Sequence, residues 1–191
     1  NQALAQEKNA YARGQLAGGL AAVAGRLPPA EAARLLNQSL VREKDDYARL
    51  LLAEGLAAVA GRLEPAEATH LLNQALAQVK EDIHTFNIGP GGSRSFRGAL
   101  ARGLTAVAGK LEPAAAARLL NEALAQEKND LARWQLTQGL VVVAGRLEPA
   151  EAARVGAAAA RPYIQALDQG ADEAARRVAT ERLSTLMQLS D

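Results

Sequence analysis

The sequence predicts an all-α protein whose helical hairpins repeat every 36 residues and stack into a right-handed superhelix. The first observation is a recurring segment, Ala-Val-Ala-Gly followed by a basic residue and leucine. It begins at Ala22, Ala58 and Ala106, and again with Val142 in the first place, at intervals of 36, 48 and 36 residues. The second observation is an apolar stripe at helical spacing in each half of a copy. One hairpin cannot bury both of its stripes alone, so we expect the hairpins to stack.

The first helix of each hairpin is predicted from a proline and the stripe that follows it. Pro65 suits the first turn of a helix, where its missing N–H is not needed, and Glu67 suits the positive end of the helix dipole. The apolar residues after it recur at i, i+3, i+4, i+7, i+8 and i+11: Ala68, Leu71, Leu72, Ala75, Leu76 and Val79. We therefore expect a helix from about Pro65 in this copy and from the equivalent prolines in the others.

The second helix follows a short polar turn such as Lys44-Asp45-Asp46 and carries its own stripe. The stripe residues of one copy are Ala48, Leu52, Gly55, Leu56, Val59 and Leu63. Gly61 weakens the end of this helix, and Arg62 places a cation at the negative pole of its dipole. Each copy is thus predicted to be a helix, a turn and a second helix.

These patterns divide the chain into one domain of successive repeats. The predicted repeats span about 1–27, 28–63, 64–111 with an insertion at 83–94, 112–147, and an irregular C-terminal repeat at 148–191. Pro162 is expected to kink or interrupt a helix in the last of these. Asn1 aligns with Asn37, in the middle of a first helix, so we expect the chain to be a fragment of a longer array.

Composition narrows the classes of function. The chain has 22 basic and 21 acidic residues, so no overall charge favours nucleic acid or an anionic membrane. It contains no cysteine, which excludes disulfides and thiolate metal sites. No apolar run approaches the roughly 18–20 residues that cross a bilayer, and the first residues lack a signal-peptide pattern. We expect a cytoplasmic protein that does not engage membranes.

No arrangement typical of catalysis, metal binding or cofactor binding stands out. His70 and His84 are the two histidines, and neither belongs to a helical metal-ligand pair. Glu148 and Glu151 have the spacing of paired carboxylates, but similar residues begin the first helices of other copies. The glycine-rich stretch 89–94 lacks the Gly-Lys-Ser/Thr ending of a phosphate-binding loop. We expect no enzyme activity, no metal and no cofactor.

Two stretches carry a family resemblance. Leu71-Leu72 is followed by Ala75-Leu76, and Asp45 precedes Arg49 by four residues with an Ala-Leu-Gly type of stripe after it. This resembles the bacterial HEAT-like repeat pattern over nearly the whole chain. It departs from that pattern where Asn9 and Asn129 replace the acidic residue and where the proline that usually follows is absent. A tetratricopeptide interpretation fits less well, because its aromatic landmarks are missing.

The resemblance implies an α-solenoid that binds partners on a concave surface lined by the second helices. We expect a non-enzymatic scaffold, or a repeat domain of a larger bacterial protein, with a protein or peptide as the partner. Among the predicted surface positions of the second helices, Trp134 is a candidate anchor, because tryptophan is enriched in binding hot spots. Arg102 is the one basic residue among the twelve such positions: Gly14, Gly18, Ala21, Leu50, Glu54, Ala57, Gly98, Arg102, Thr105, Trp134, Gln138 and Val141.

The insertion at 83–94 is the third candidate, predicted to project as a loop from one edge of the stack. It carries the apolar Phe86 and ends in Arg94, and the stretch from Ile83 to Leu111 holds Arg97, Arg102 and Lys110 as well, with no acidic residue. Inserted loops often lie on the binding face of repeat proteins. This basic stretch leaves open an alternative, a nucleic-acid-binding HEAT-like protein. A tolerated insertion without function is a further possibility, because long surface loops cost little.

Arginines recur in every copy at one position of the second helix: 13, 49, 97 and 133. Two interpretations are open. A row of arginines could bind phosphates, or it could form a structural ladder to neighbouring carboxylates and carbonyls. Because acidic or amide side chains lie nearby in each copy, the ladder is the favoured interpretation.

Overall fold

The computed structural model describes residues 2–78, 86–87, 93–168 and 173–187, and these residues form an all-α protein, as predicted. The helices are α1 (Gln2–Gln6), α2 (Ala10–Ala24), α3 (Pro29–Arg42), α4 (Asp46–Ala60), α5 (Pro65–Gln78), α6 (Phe96–Ala108), α7 (Pro113–Gln126), α8 (Asp130–Ala144), α9 (Pro149–Asp168) and α10 (Glu173–Met187). We call α2, α4, α6 and α8 the second helices, and α3, α5, α7 and α9 the first helices.

Local sequence sets the helix boundaries. Each first helix begins with its proline, at positions 29, 65, 113 and 149, where a fixed φ and a missing N–H fit the first turn. Each second helix begins after a residue whose side chain accepts a hydrogen bond from a backbone N–H three residues later. These N-cap residues are Asn9, Asp45, Ser95 and Asn129. Asparagine therefore performs the capping role of the acidic residue in two hairpins.

The second helices pack in chain order, α2 against α4, α4 against α6, and α6 against α8. Each first helix lies against a second helix, as α3 does against α4 and α7 against α8. Most of both predicted stripes is buried between them, although Leu71 and Leu76 are half-buried and Val79 lies outside the described residues. Leu52, Leu56 and Val59 of α4 and Leu72 of α5 are all at most 2% exposed. The core is made mainly of alanine and leucine, which allows helices to approach closely.

Part of the insertion lies within the described residues. Phe86–Asn87 (β1) pairs antiparallel with Ser93–Arg94 (β2), so the predicted loop contains a short hairpin. Residues 83–85 and 88–92 lie outside the described part of the chain. The helix α6 begins at Phe96, not directly after Arg94, because Ser95 provides its N-cap. It is accordingly 13 residues long, whereas α4 has 15.

The C-terminal region bears on the prediction for Pro162. Pro162 does not interrupt its helix, since α9 runs from Pro149 to Asp168 with this proline inside it. A proline within a helix removes one backbone hydrogen bond, and the neighbouring Tyr163 contacts α8 in this part of α9. Tyr163 is 5% exposed, and its hydroxyl lies 2.9 Å from Oγ1 of Thr137 in α8. The last helix, α10, packs on both α8 and α9.

Candidate partner-binding surface

Glycines determine how closely the second helices approach one another. A Cβ atom added to Gly55 would lie 2.6 Å from Cβ of Ala21, and one added to Gly103 would lie 3.0 Å from Cβ of Ala57. At the equivalent place in α8, a Cβ on Gly139 would lie 2.6 Å from Oγ1 of Thr105. These contacts turn one face of each of α4, α6 and α8 towards the preceding second helix. The face that remains accessible is therefore fixed by the packing.

The recurring arginines link each second helix to the next hairpin. Arg13 donates through Nε to Oε1 of Glu43 (2.9 Å), and Arg97 donates through Nε and NH2 to the carboxylate of Glu127 (2.9 Å each). Both carboxylates are almost fully buried, and each also accepts hydrogen bonds from the two backbone N–H groups that follow it. The described contacts thus fit the structural ladder.

Aromatic rings replace the carboxylate in the other two hairpins. The acidic partner lies 30 residues after the arginine in both ion pairs. Thirty residues after Arg133 the sequence has Tyr163, and the guanidinium stacks 4.7 Å from its ring centroid. Arg49 stacks 4.4 Å from the ring centroid of Phe96, and the sequence has Val79 at the position equivalent to Glu43 and Glu127. Its NH1 also lies 3.6 Å from Oδ1 of Asp46 within α4. Cation–π contacts of this kind stabilise a buried guanidinium.

A second set of basic residues caps helix ends. Arg62 donates to the carbonyl oxygens of Gly25 (2.6 Å) and Leu27 (3.3 Å) at the end of α2. Arg146 repeats this contact with Gly109 and Leu111 at the end of α6 (3.3 and 3.1 Å). Lys110 donates to the carbonyl oxygen of Gly61. Each cation lies at the negative end of the preceding second helix, where it stabilises the helix dipole.

What remains accessible on these helices is a strip that we call the second-helix surface. It has two rows, one residue from each of α2, α4, α6 and α8. The first row is half-buried and chemically varied: Gly18, Glu54, Arg102 and Gln138. The second row is exposed and apolar: Ala22, Ala58, Ala106 and Val142. Val142 is 68% exposed, so the apolar row ends in a large accessible side chain.

A groove of about 310 Å³ lies between α4 and α6 on this surface. Alanines and Gly103 form its apolar lining, and Glu54 and Arg102 bring charge to its edge. NH2 of Arg102 is 3.5 Å from Oε1 of Glu54, and NH1 of Arg94 is 3.2 Å from the same oxygen. One carboxylate therefore faces two guanidinium groups, both more than two-fifths exposed.

The five predicted binding residues differ in where the structure places them and in how accessible they are. Arg94 and Arg102 meet at Glu54, whereas Arg97 is 16% exposed and engaged with Glu127. The side chain of Phe86 lies outside the described part of the chain. Trp134 is half-buried, because Arg182 of α10 stacks 3.6 Å from its ring centroid.

The sequence predicts a surface position for Trp134 and its three equivalents, and this prediction is wrong for the equivalents. Gly14, Leu50 and Gly98 are buried. Gly14 lies against the ring of Tyr47, and Gly98 lies against Leu131. Sequence reasoning instead missed the exposed apolar row. The substitution at Val142 could have indicated this row, because among the four recurring segments it alone has valine and not alanine in the first place.

The basic stretch that suggested nucleic acid is locally engaged by protein groups. Arg94 and Arg102 pair with Glu54, Arg97 pairs with Glu127, and Lys110 binds a backbone carbonyl. Phosphate binding would compete with each of these contacts. The stretch is therefore less available to a phosphate backbone than its charge alone indicates.

Comparison of the chain with protein-family models, curated proteins and solved structures finds no match. Within residues 2–78, 86–87, 93–168 and 173–187, no group of three or more His, Asp or Glu side chains could hold a metal ion. Across the same residues, no helix has both the length and the apolar character needed to span a membrane.

Proposed function

We propose that the protein is a non-enzymatic binding scaffold that holds a protein or peptide segment on its second-helix surface. The observation that carries this proposal is the groove between α4 and α6. It combines an apolar lining with two guanidinium groups that share one carboxylate, Arg94 and Arg102 at Glu54. Small apolar grooves flanked by a few polar groups are suited to peptide side chains.

The charges predict the chemistry of the partner. Two guanidinium groups and one carboxylate leave an excess positive charge beside the groove, so a carboxylate on the partner would be attracted there. The exposed Ala58 and Ala106 belong to the lining of the groove, and they offer a flat contact for a small or unbranched apolar side chain. We therefore expect a segment with an acidic residue near an apolar one.

The insertion is the second part of the proposed site. Arg94 belongs to β2, at the end of the insertion, and its contact with Glu54 ties this part of the chain to α4. The end of the insertion thus lies near the groove, and Phe86 pairs with Arg94 in the short hairpin. This placement favours its taking part in recognition over an insertion without function.

The proposal includes the finer fold as well. We infer a HEAT-like α-solenoid of 36-residue hairpins with the second helices on the concave side. Two observations support it, the close glycine contacts between successive second helices and the recurrence of the same interhelical hydrogen bonds. In stacked repeats the curvature follows from a small rotation between successive units, and the close packing of the second helices favours their lying on the inside of the curve.

The test uses the full chain as bait for random linear peptides displayed on phage. We expect the enriched peptides to be acidic with a neighbouring apolar residue, and to bind the purified chain in isothermal titration calorimetry. Ala106→Arg should fill the groove and reduce affinity by at least about tenfold, the equivalent of 1.4 kcal/mol. Arg102→Glu should select against acidic peptides.

Ala22→Arg is the matched control, since Ala22 occupies the same exposed row in α2 and lies away from the groove. It should leave binding unchanged. Enriched peptides that bind Ala106→Arg as well as the original chain would overturn the groove assignment. Salt-sensitive binding of single-stranded DNA, with no peptide enriched, would instead favour the nucleic-acid alternative.

A further inference from the structure

The face of α2 opposite α4 is uncovered, although its residues are those that second helices bury elsewhere. Leu16 is 36% exposed and Val23 is 57% exposed. Their equivalents in α4, α6 and α8 are at most 2% exposed: Leu52, Leu100 and Leu136 for the first, and Val59, Val107 and Val143 for the second. An apolar pair that is buried three times in this chain is thus left accessible in α2.

Gly19 lies between these two residues. It is equivalent to Gly55, Gly103 and Gly139, the glycines at which successive second helices pack closely. A Cβ on Gly55, Gly103 or Gly139 would lie 3.0 Å or less from a side-chain atom of the preceding second helix. A Cβ on Gly19 would meet no described atom within 4 Å. Glycine is a poor helix former, and in the other second helices the close approach explains its presence. At Gly19 the described structure contains no group that needs the space.

Two charged groups on the same side also lack the partners that their equivalents have. The Glu7 carboxylate accepts hydrogen bonds from the backbone N–H groups of Lys8 and Asn9, as the carboxylates of Glu43 and Glu127 do from the groups that follow them. No arginine among the described residues pairs with this carboxylate, since Arg13 donates to the backbone carbonyl oxygen of Glu7 instead (2.7 Å). Arg26 occupies the position of Arg62 and Arg146, is exposed, and binds no carbonyl in the described part of the chain.

We propose that this face, made of Glu7, Leu16, Gly19, Val23 and Arg26, is an interface for a helical hairpin of the chain's own type. The occupant places an alanine or threonine against Gly19, an arginine on Glu7, and the carbonyl end of its second helix on Arg26. All three contacts occur where α2 packs on α4 and where α6 packs on α8. The groups expected on the occupant are therefore those that already make the equivalent contacts within this chain.

The test adds that hairpin to the full chain. A copy of the segment from Asn37 to Leu72 placed directly before Asn1 keeps the register of the recurring segments. The copied Ala57 would then face Gly19, the copied Arg49 would face Glu7, and the copied Gly61 carbonyl would face Arg26. We expect the extended chain to unfold in one transition at a melting temperature several degrees higher.

Gly19→Ala makes the test specific, because its effect should change sign. In the original chain it should raise the melting temperature slightly, since alanine favours a helix and meets no neighbour. In the extended chain it should lower the melting temperature, because its Cβ would collide with the copied Ala57. Replacing that copied alanine with glycine should restore stability.

Three outcomes would overturn the proposal. One is an effect of Gly19→Ala with the same sign in both chains, and another is an appended hairpin that unfolds separately. The third is a dimer of the original chain, seen in sedimentation equilibrium and abolished by Gly19→Leu, which would make a second copy the occupant. None of these measurements depends on the groove between α4 and α6, so the proposed function is tested separately.

Discussion

Arg97 and Glu127 form a two-pronged ion pair across successive hairpins, with Nε and NH2 of the arginine each 2.9 Å from a different carboxylate oxygen. NH1 of the same guanidinium donates to the carbonyl oxygen of Leu76 at 3.0 Å, at the end of the preceding first helix. One side chain therefore connects three segments of chain. Sequence analysis had placed Arg97 among candidate binding residues, and the contacts give it a structural role as well.

Replacing Glu127 by alanine should destabilise the fold by about 3 kcal/mol, because it leaves the guanidinium of Arg97 without its buried partner. It also removes the acceptor for the backbone N–H groups of Lys128 and Asn129. Urea unfolding followed by circular dichroism measures the change. Glu112→Ala, at an exposed position before α7, is the control and should change stability little. Equal effects of the two substitutions would contradict a specific role for the ion pair.

The close approach of α2 and α4 predicts that Gly55→Ala is harmful, although alanine is the better helix former. Its Cβ would lie 2.6 Å from Cβ and 3.2 Å from Cα of Ala21, so the two helices must separate. We expect a loss of about 1–2 kcal/mol after the gain in helix propensity is included. Ala21→Gly in the same chain should recover part of it.

Gly18→Ala is the matched control for that substitution. Its Cβ would lie at an ordinary contact distance of 3.7 Å from Leu51, and it should stabilise the protein by up to about 1 kcal/mol. Thermal unfolding of the two variants therefore distinguishes helix propensity from helix contact. A stabilising Gly55→Ala would mean that α2 and α4 are farther apart than described.

Tyr163 should make two separable contributions to stability. Tyr163→Phe keeps the ring over Arg133 and removes the hydrogen bond to Thr137, so we expect a loss of about 1 kcal/mol. Tyr163→Ala also removes the buried ring and should cost about 3 kcal/mol or more. Chemical denaturation compares the two. Tyr11→Phe, at a position 75% exposed, should be neutral; a comparable loss there would show that the effect is not specific to the contact.

The capping contact of Arg146 should be modest but measurable. Arg146→Met removes the donors to Gly109 and Leu111, and we expect a loss of no more than about 1 kcal/mol, decreasing as salt is added. Arg26→Met removes an exposed arginine that has no such acceptor among the described residues, and it should leave the melting temperature unchanged. A loss in Arg26→Met that matches Arg146→Met would contradict the capping role.

Much of the local structure follows from the sequence. Proline at the start of each first helix, a capping side chain before each second helix and apolar residues at helical spacing predict the all-α architecture and most helix boundaries. These signals act within a few residues of each other, so the helices they define can be predicted without knowledge of the fold. The exceptions have local causes too. Ser95 caps α6 two residues later than the repeat alone suggests, and α9 continues through Pro162.

The second-helix surface could not be predicted in the same way. Leu50 and Trp134 occupy equivalent positions, yet Leu50 is buried and Trp134 is half-buried beneath Arg182. The difference in burial depends on which neighbouring helix packs against the position. The spacing of apolar residues within one helix gives no information about that neighbour. The meeting of Arg94 and Arg102 at Glu54 joins residues 40 and 48 positions apart. Sequence alone determined the helices and their buried stripes, because those depend on neighbours along the chain. Tertiary structure decided which polar and apolar groups share the accessible face, because packing between helices sets their distances.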